Sequence, residues 1–156
     1  MCVLSKNNQI TVAMMLIMLG IILGLSACND GYINIEGVNP LSIDNCALFN
    51  ENQYRIDDVA DYNNLLEAMS TTPDCQPPYI LPDVDFAERT VLGYKTEIEA
   101  CTITYSYEAK ANPNDKKYLF TIKINKEIGC GSLFVNMNWI SVPKIPSDFM
   151  VEFQLE

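Results

Sequence analysis

The sequence predicts a mainly β (α+β) fold: an antiparallel sheet or sandwich of about five or six strands, preceded by one short helix. Three observations predict it. From Thr90 onward apolar and polar residues alternate with period two, as in half-buried antiparallel strands. Before that point, Val59, Tyr62, Leu66 and Met69 recur at helical spacing. Between two alternating runs lies Asn112-Pro113-Asn114-Asp115, a turn sequence.

Taken in order, Tyr54-Arg55-Ile56 is a short strand. Asp57 and Asp58 then offer side-chain oxygens as helix caps, and Asp61 suits the positive end of the helix dipole. Pro73, Pro77, Pro78 and Pro82 remove backbone donors, so the stretch from Thr71 to Pro82 is an ordered loop. Thr90 to Tyr94 opens the strand series. Cys101, Ile103, Tyr105, Tyr107 and Ala109 form the apolar phase of the next strand, and Tyr118, Phe120, Ile122 and Ile124 that of the one after. Leu133, Val135, Met137 and Trp139 supply a fourth, and Val151, Phe153 and Leu155 a last one. Val142-Pro143-Lys144-Ile145-Pro146 is a rigid connector that denies pairing donors.

The turn permits a register argument. Pairing Ala109 with Ile122, Tyr107 with Ile124 and Ile103 with Ile128 keeps apolar residues on one side, with Tyr105 opposite Lys126 as the exception. The same register sets Cys101 opposite Cys130, with Cβ atoms roughly 4.5–5.5 Å apart. A bulge at Gly129 or Gly131 would shift it.

Composition narrows the chemistry. The 156 residues carry 10 Lys and Arg against 20 Asp and Glu, a net charge of −10, and no histidine. That excludes Ser/His and Cys/His catalytic pairs and His-ligated metals. The acidic balance argues against nucleic acid, whose phosphates are bound by Lys and Arg. No glycine-rich phosphate loop is present, and no metal or cofactor is expected.

The amino terminus reads as an export signal. Lys6 precedes an apolar run from Ile10 to Leu25, which ends in Leu25-Ser26-Ala27-Cys28. Those four residues resemble the lipobox of bacterial lipoproteins. The resemblance implies cleavage of residues 1–27, lipidation of the Cys28 thiol and membrane attachment through acyl chains. By the same analogy Asn29, directly after the cysteine, is not an inner-membrane retention signal, so an outer-membrane location is expected. Residues 28–45, with Gly31, Gly37 and Asn39-Pro40, read as a flexible tether, and residues 46–156 as one disulfide-stapled domain.

Beyond Cys28 stand Cys46, Cys75, Cys101 and Cys130. An even number in an exported chain reads as disulfides, and no CxxC spacing supports redox or zinc chemistry. The register argument predicts Cys101–Cys130 and leaves Cys46–Cys75.

A few constellations have the residue types that chemistry needs. Asp57, Asp58 and Asp61 read as a helix start rather than a Ca²⁺ site. Asp83, Asp85 and Glu88 are carboxylates that could serve an envelope hydrolase, although surface solvation is their ordinary role. Tyr94, Tyr105, Tyr107, Tyr118 and Trp139 lie mostly on apolar phases and so belong to the core. Trp139, whose indole N–H seeks a polar edge, is the candidate ligand contact.

Val84-Asp85-Phe86, Thr90-Val91-Leu92-Gly93, Cys101, Tyr118, Cys130, Trp139, Val142 to Pro146 and Val151-Glu152-Phe153 occur in an order that resembles small Bacteroidetes-type lipoproteins. Over about residues 84–155 the chain is also similar to the carboxy-terminal domain of PrcB-like protease-complex lipoproteins. It departs from them at Gly93-Tyr94-Lys95-Thr96-Glu97, where they carry a Thr-Gly-Gly-Tyr turn. The resemblance implies no catalytic residue. The expectation is a non-catalytic binding or accessory module of an envelope complex, with an envelope protein as partner. An acidic hydrolase and a purely structural surface protein are the alternatives.

Overall fold

The computed structural model describes residues 31–43, 51–73, 75, 77 and 80–156. In chain order these form β1 (Ile33–Asn34), β2 (Asn39–Leu41), β3 (Gln53–Ile56), α1 (Val59–Ser70), β4 (Arg89–Asn112), β5 (Lys117–Pro143) and β6 (Met150–Leu155). The fold is the expected one: one six-stranded, mainly antiparallel sheet with one short helix ahead of its long strands. Among the described residues only the β5–β6 pairing is parallel.

The β4–β5 hairpin dominates. The alternating runs expected as four strands join into two, because no proline or turn sequence interrupts 95–100 and the glycines near 130 make a bulge rather than a break. The turn is set by Asn112, whose Oδ1 accepts from the backbone N–H of Asn114 (3.1 Å) and Asp115 (3.3 Å). Lys116 closes it with φ 53°. Asn112 therefore pairs with Lys117, and the register differs from the expected one by two residues. Ala109 faces Phe120, Tyr107 faces Ile122 and Tyr105 faces Ile124. A slip of two leaves every side chain on its expected face.

The register then shifts. Thr102 pairs with Glu127 but Ala100 with Ser132, so Cys101 lies opposite the bulged segment 128–131. Gly129 (φ 121°) and Gly131 (φ 67°) supply left-handed conformations there that L side chains avoid. The bulge restores Cys101 to Cys130, and the two form a disulfide with Cα atoms 4.9 Å apart.

The hairpin is folded over at this point. Ile35 N–H bonds Ala109 O at 2.9 Å, while Asn39 pairs with Ser141, the partner of Val91. Four residue steps span at most about 14 Å. In a straight ribbon, positions 91 and 109 would lie roughly 60 Å apart. Contacts across the fold agree. Tyr107 Oη donates to Asn138 Oδ1 (3.1 Å), Thr96 Oγ1 lies 3.3 Å from Tyr105 Oη, and Tyr94 stacks on Phe153 at 5.4 Å. These pairs centre on Cys101 and Cys130, so the disulfide sits at the crease.

Folding over makes two cores. Leu92, Ile140 and Val142 from the open end of the hairpin meet Ala109, Phe120 and Ile122 from its turn end. On the opposite face of the open end, Val91, Met137 and Trp139 pack with Ile56 and with Tyr62, Leu65 and Met69 of α1. Adjacent residues such as Val91 and Leu92 thus enter different cores, and the open end is buried on both faces.

The helix is capped by Asp58, whose Oδ1 accepts from Asp61 N–H at 2.9 Å. Its buried stripe is Tyr62, Leu65 and Met69. Val59, expected inside, is exposed, and Leu65 takes the place expected for Leu66. Asp57 does not cap. It accepts from Arg55 Nε (2.6 Å) and Thr90 Oγ1 (2.7 Å). Arg55 also donates to the carbonyls of Phe149 (2.6 Å), Pro146 (3.0 Å) and Ile145 (3.2 Å), clamping β3 to the β5–β6 connection.

The tether expected over 28–45 is shorter than its sequence suggests. β1 pairs with β4 and β2 with β5, and Ile43 is buried. This strap closes one side of the folded sheet. Its composition misled because backbone pairing to an existing edge needs few apolar side chains.

Candidate functional site

The covering strands leave the middle of the hairpin bare. β3 covers the outer edge of β4 as far as Lys95, whose N–H bonds Asn52 O at 2.8 Å, and β1 takes up that edge again near Ala109. β6 covers β5 as far as Ile124, whose N–H bonds Glu156 O at 2.8 Å, and β2 resumes at Trp139. Among the described residues, 96–108 and 125–138 have no strand on their outer edges. Unpaired edges of this length are ready templates for another chain.

Apolar residues are exposed in the same region. Ile128 is 75% exposed, Leu133 61% and Val135 44%. Leu133 and Val135 continue the face that buries Met137 and Trp139, past the reach of the helix. Their cross-strand neighbours are Glu99 and Glu97. Cys101 is half-buried and Cys130 exposed.

Beside the crease a cleft of about 590 Å³ is walled by Glu97, Ile98 and Glu99 on one side. Ile124, Lys126, Leu155 and Glu156 form the other. Lys95 Nζ pairs with Glu97 at 2.8 Å. A second cleft, about 570 Å³, lies between the strap at 34–38 and residues 107–110.

The inner side of the crease is held by a polar network. Asn138, 1% exposed, donates from Nδ2 to Thr96 Oγ1 (3.0 Å) and Tyr94 O (3.2 Å). Its Oδ1 accepts from Tyr107 Oη (3.1 Å) and Asn136 Nδ2 (2.9 Å). Burial, and secondarily the neighbouring Tyr105, raises the Tyr107 pKa. A fully bonded buried amide rigidifies the support of the surface above it.

Trp139 is not part of this surface, and the expectation of a ligand contact there is corrected. It is 2% exposed, its ring lies over Gly93, and Tyr54 packs against it at 5.4 Å. A Cβ on Gly93 would meet the indole at 2.5 Å, so the glycine makes room for the ring. The helix and β3 cover what the strand pattern alone left open.

Cys75 is disulfide-bonded and buried. Its expected partner Cys46 lies outside the described residues, as do Cys28 and the export signal. Asp83, Asp85 and Glu88 are exposed and line neither cleft. Asp85 instead caps a local turn, accepting from Ala87 N–H at 3.0 Å. No group of three or more acidic or cysteine side chains could hold a metal among the described residues. The bare crease was missed by sequence reasoning, although the exposed apolar run flanking Gly129 and Gly131 signalled it.

Comparisons with known proteins give no matching family model, no matching curated protein and no matching solved structure.

Proposed function

We propose that the chain is a lipid-anchored cell-envelope protein, held in the outer membrane through Cys28, that serves as a non-catalytic binding or accessory module of an envelope complex. The observation that carries the binding role is the bare crease, where Ile128, Leu133 and Val135 are exposed beside two strand edges that are unpaired among the described residues. Monomeric proteins blunt or cover such edges, and an edge left open on a rigid support is a common contact surface. The anchoring rests on the lipobox-like Leu25-Ser26-Ala27-Cys28. Two or more acyl chains suffice for stable attachment.

Affinity capture tests this reading. Full-length protein is tagged, expressed in its own host and lightly crosslinked. A stoichiometric envelope protein is expected, retained at the outer membrane with the bait and lost with Leu133→Asp/Val135→Asp. Capture unchanged by that double substitution contradicts the assigned surface. Membrane attachment that survives Cys28→Ser contradicts the anchor.

A further inference from the structure

Among the described residues the sheet stops short of closing. Among them, β6 has β5 on one edge and no strand on the other, and β4 has none beyond Lys95 until β1. Both open edges border the same cleft. Backbone alternation decides which groups face it. Along a strand, successive residues point their N–H and C=O to opposite sides. Lys95 bonds outward to Asn52, so Glu97 and Glu99 also point outward. Glu156 bonds inward to Ile122 and Ile124, so Leu155 points away from β5. Main-chain donors and acceptors therefore stand on both walls, with Ile98, Ile124 and Leu155 as apolar lining.

We infer that this cleft takes an extended segment of a partner protein, paired as an added strand and carrying basic residues among apolar ones. The inference rests on the envelope-partner reading and adds the chemistry of the partner. Charge selects the occupant. The cleft is lined by three carboxylates, Glu97 and Glu99 on one wall and Glu156 on the other, against a single Lys126. Lys95 engages Glu97, while Glu99 and Glu156 have no ion-pair partner among the described residues. A second copy of a chain with net charge −10 would be repelled. A Lys- or Arg-bearing strand would gain complementarity and approach faster. The alternation of a strand would place apolar side chains on the Ile98 side and basic ones toward the carboxylates.

Labelled peptides of about ten residues, near the length of a long strand, test the inference against the full-length chain in detergent. One alternates Lys and Val, a second alternates Glu and Val, and a third is the Lys/Val peptide with every second amide N-methylated. The Lys/Val peptide is expected to bind, and the other two at least about tenfold more weakly. Glu99→Pro removes one outward N–H at an edge position where proline is tolerated, and is expected to weaken binding. Glu97→Gln/Glu99→Gln keeps the backbone donors and is expected to lose the preference for Lys over Glu. Equal binding of the methylated peptide, no binding of the Lys/Val peptide, or displacement of it by self-association would each overturn the inference. A photocrosslinker in the host separates the two readings. A partner caught from position 133 but not from position 99 overturns this inference alone, whereas none from either overturns both.

Discussion

At its open end the β4–β5 hairpin is buried on both faces, and at the crease the same two strands are, among the described residues, bare on one face and along both edges. Residues 90–93 and 137–142 are buried throughout, whereas 125–133 are exposed throughout. The alternation of residue types is similar in the two regions. What differs is cover: α1, β2 and β3 stand over the open end, and nothing among the described residues stands over the outer face of the crease. Strand formation is thus a local property of the pattern, while core membership is decided by what the rest of the chain lays on top.

Breaking the covered half should have the largest effect. Trp139→Ala removes the ring that bridges Gly93, Tyr54 and the helix-side core. We expect a loss of about 3–5 kcal/mol, the usual cost of truncating a buried aromatic. Denaturant unfolding of the full-length chain checks it, and a loss below about 1 kcal/mol would mean that the core closes without the indole.

Removing the crease disulfide should come next. Cys101→Ser/Cys130→Ser opens a link across a sequence separation of 29 residues. A cost of about 2–4 kcal/mol is expected, with faster amide exchange concentrated at 96–106 and 124–136. Equal acceleration at the open end would show that the two halves do not differ in the way described.

A smaller effect is expected at alkaline pH. Burial, and secondarily the charge of Asp83, pushes the Tyr62 pKa up to about 12, while its hydroxyl donates to Pro82 O at 3.0 Å. The folded state favours the neutral phenol. Its contribution is whole below the ordinary tyrosine pKa near 10 and declines as pH rises from there through about 12. Burial also raises Tyr54, Tyr107 and Tyr118, so an absorbance titration should show several late-titrating tyrosines, one fewer in Tyr62→Phe, with loosening that begins around α1 rather than the crease.

The smallest change belongs to the bare half. Leu133→Ser, at a position 61% exposed, should alter stability by less than about 0.5 kcal/mol while weakening partner capture. A large stability loss would place Leu133 in a core and remove it from the contact surface.

Much of the architecture was legible because period two survives errors of register. Asn112 set a turn two residues away from the expected pairing, yet every side chain kept its face, and the bulge at Gly129 and Gly131 brought Cys130 back to Cys101. The helix was legible from Asp58 and its apolar spacing, but choosing Leu65 over Leu66 depended on the face that meets the sheet. The strap at 33–41 was not legible, because it gains its stability from backbone pairing with distant edges. Trp139 misled for the same reason, since its cover comes from α1 and β3, far away in sequence. The folding of one hairpin into two stacked halves has no local signal beyond the paired glycines.

Residue-resolved hydrogen exchange of the full-length chain tests the central claim most directly. Outward amides at Glu97 and Glu99 should exchange fast, inward amides at Ile98 and Ala100 slowly, and the amides of Leu92 and Gly93 should be protected alike. Protection at Glu97 and Glu99 equal to that at Gly93 would mean that the edge is covered, and the crease would then not be an open contact surface.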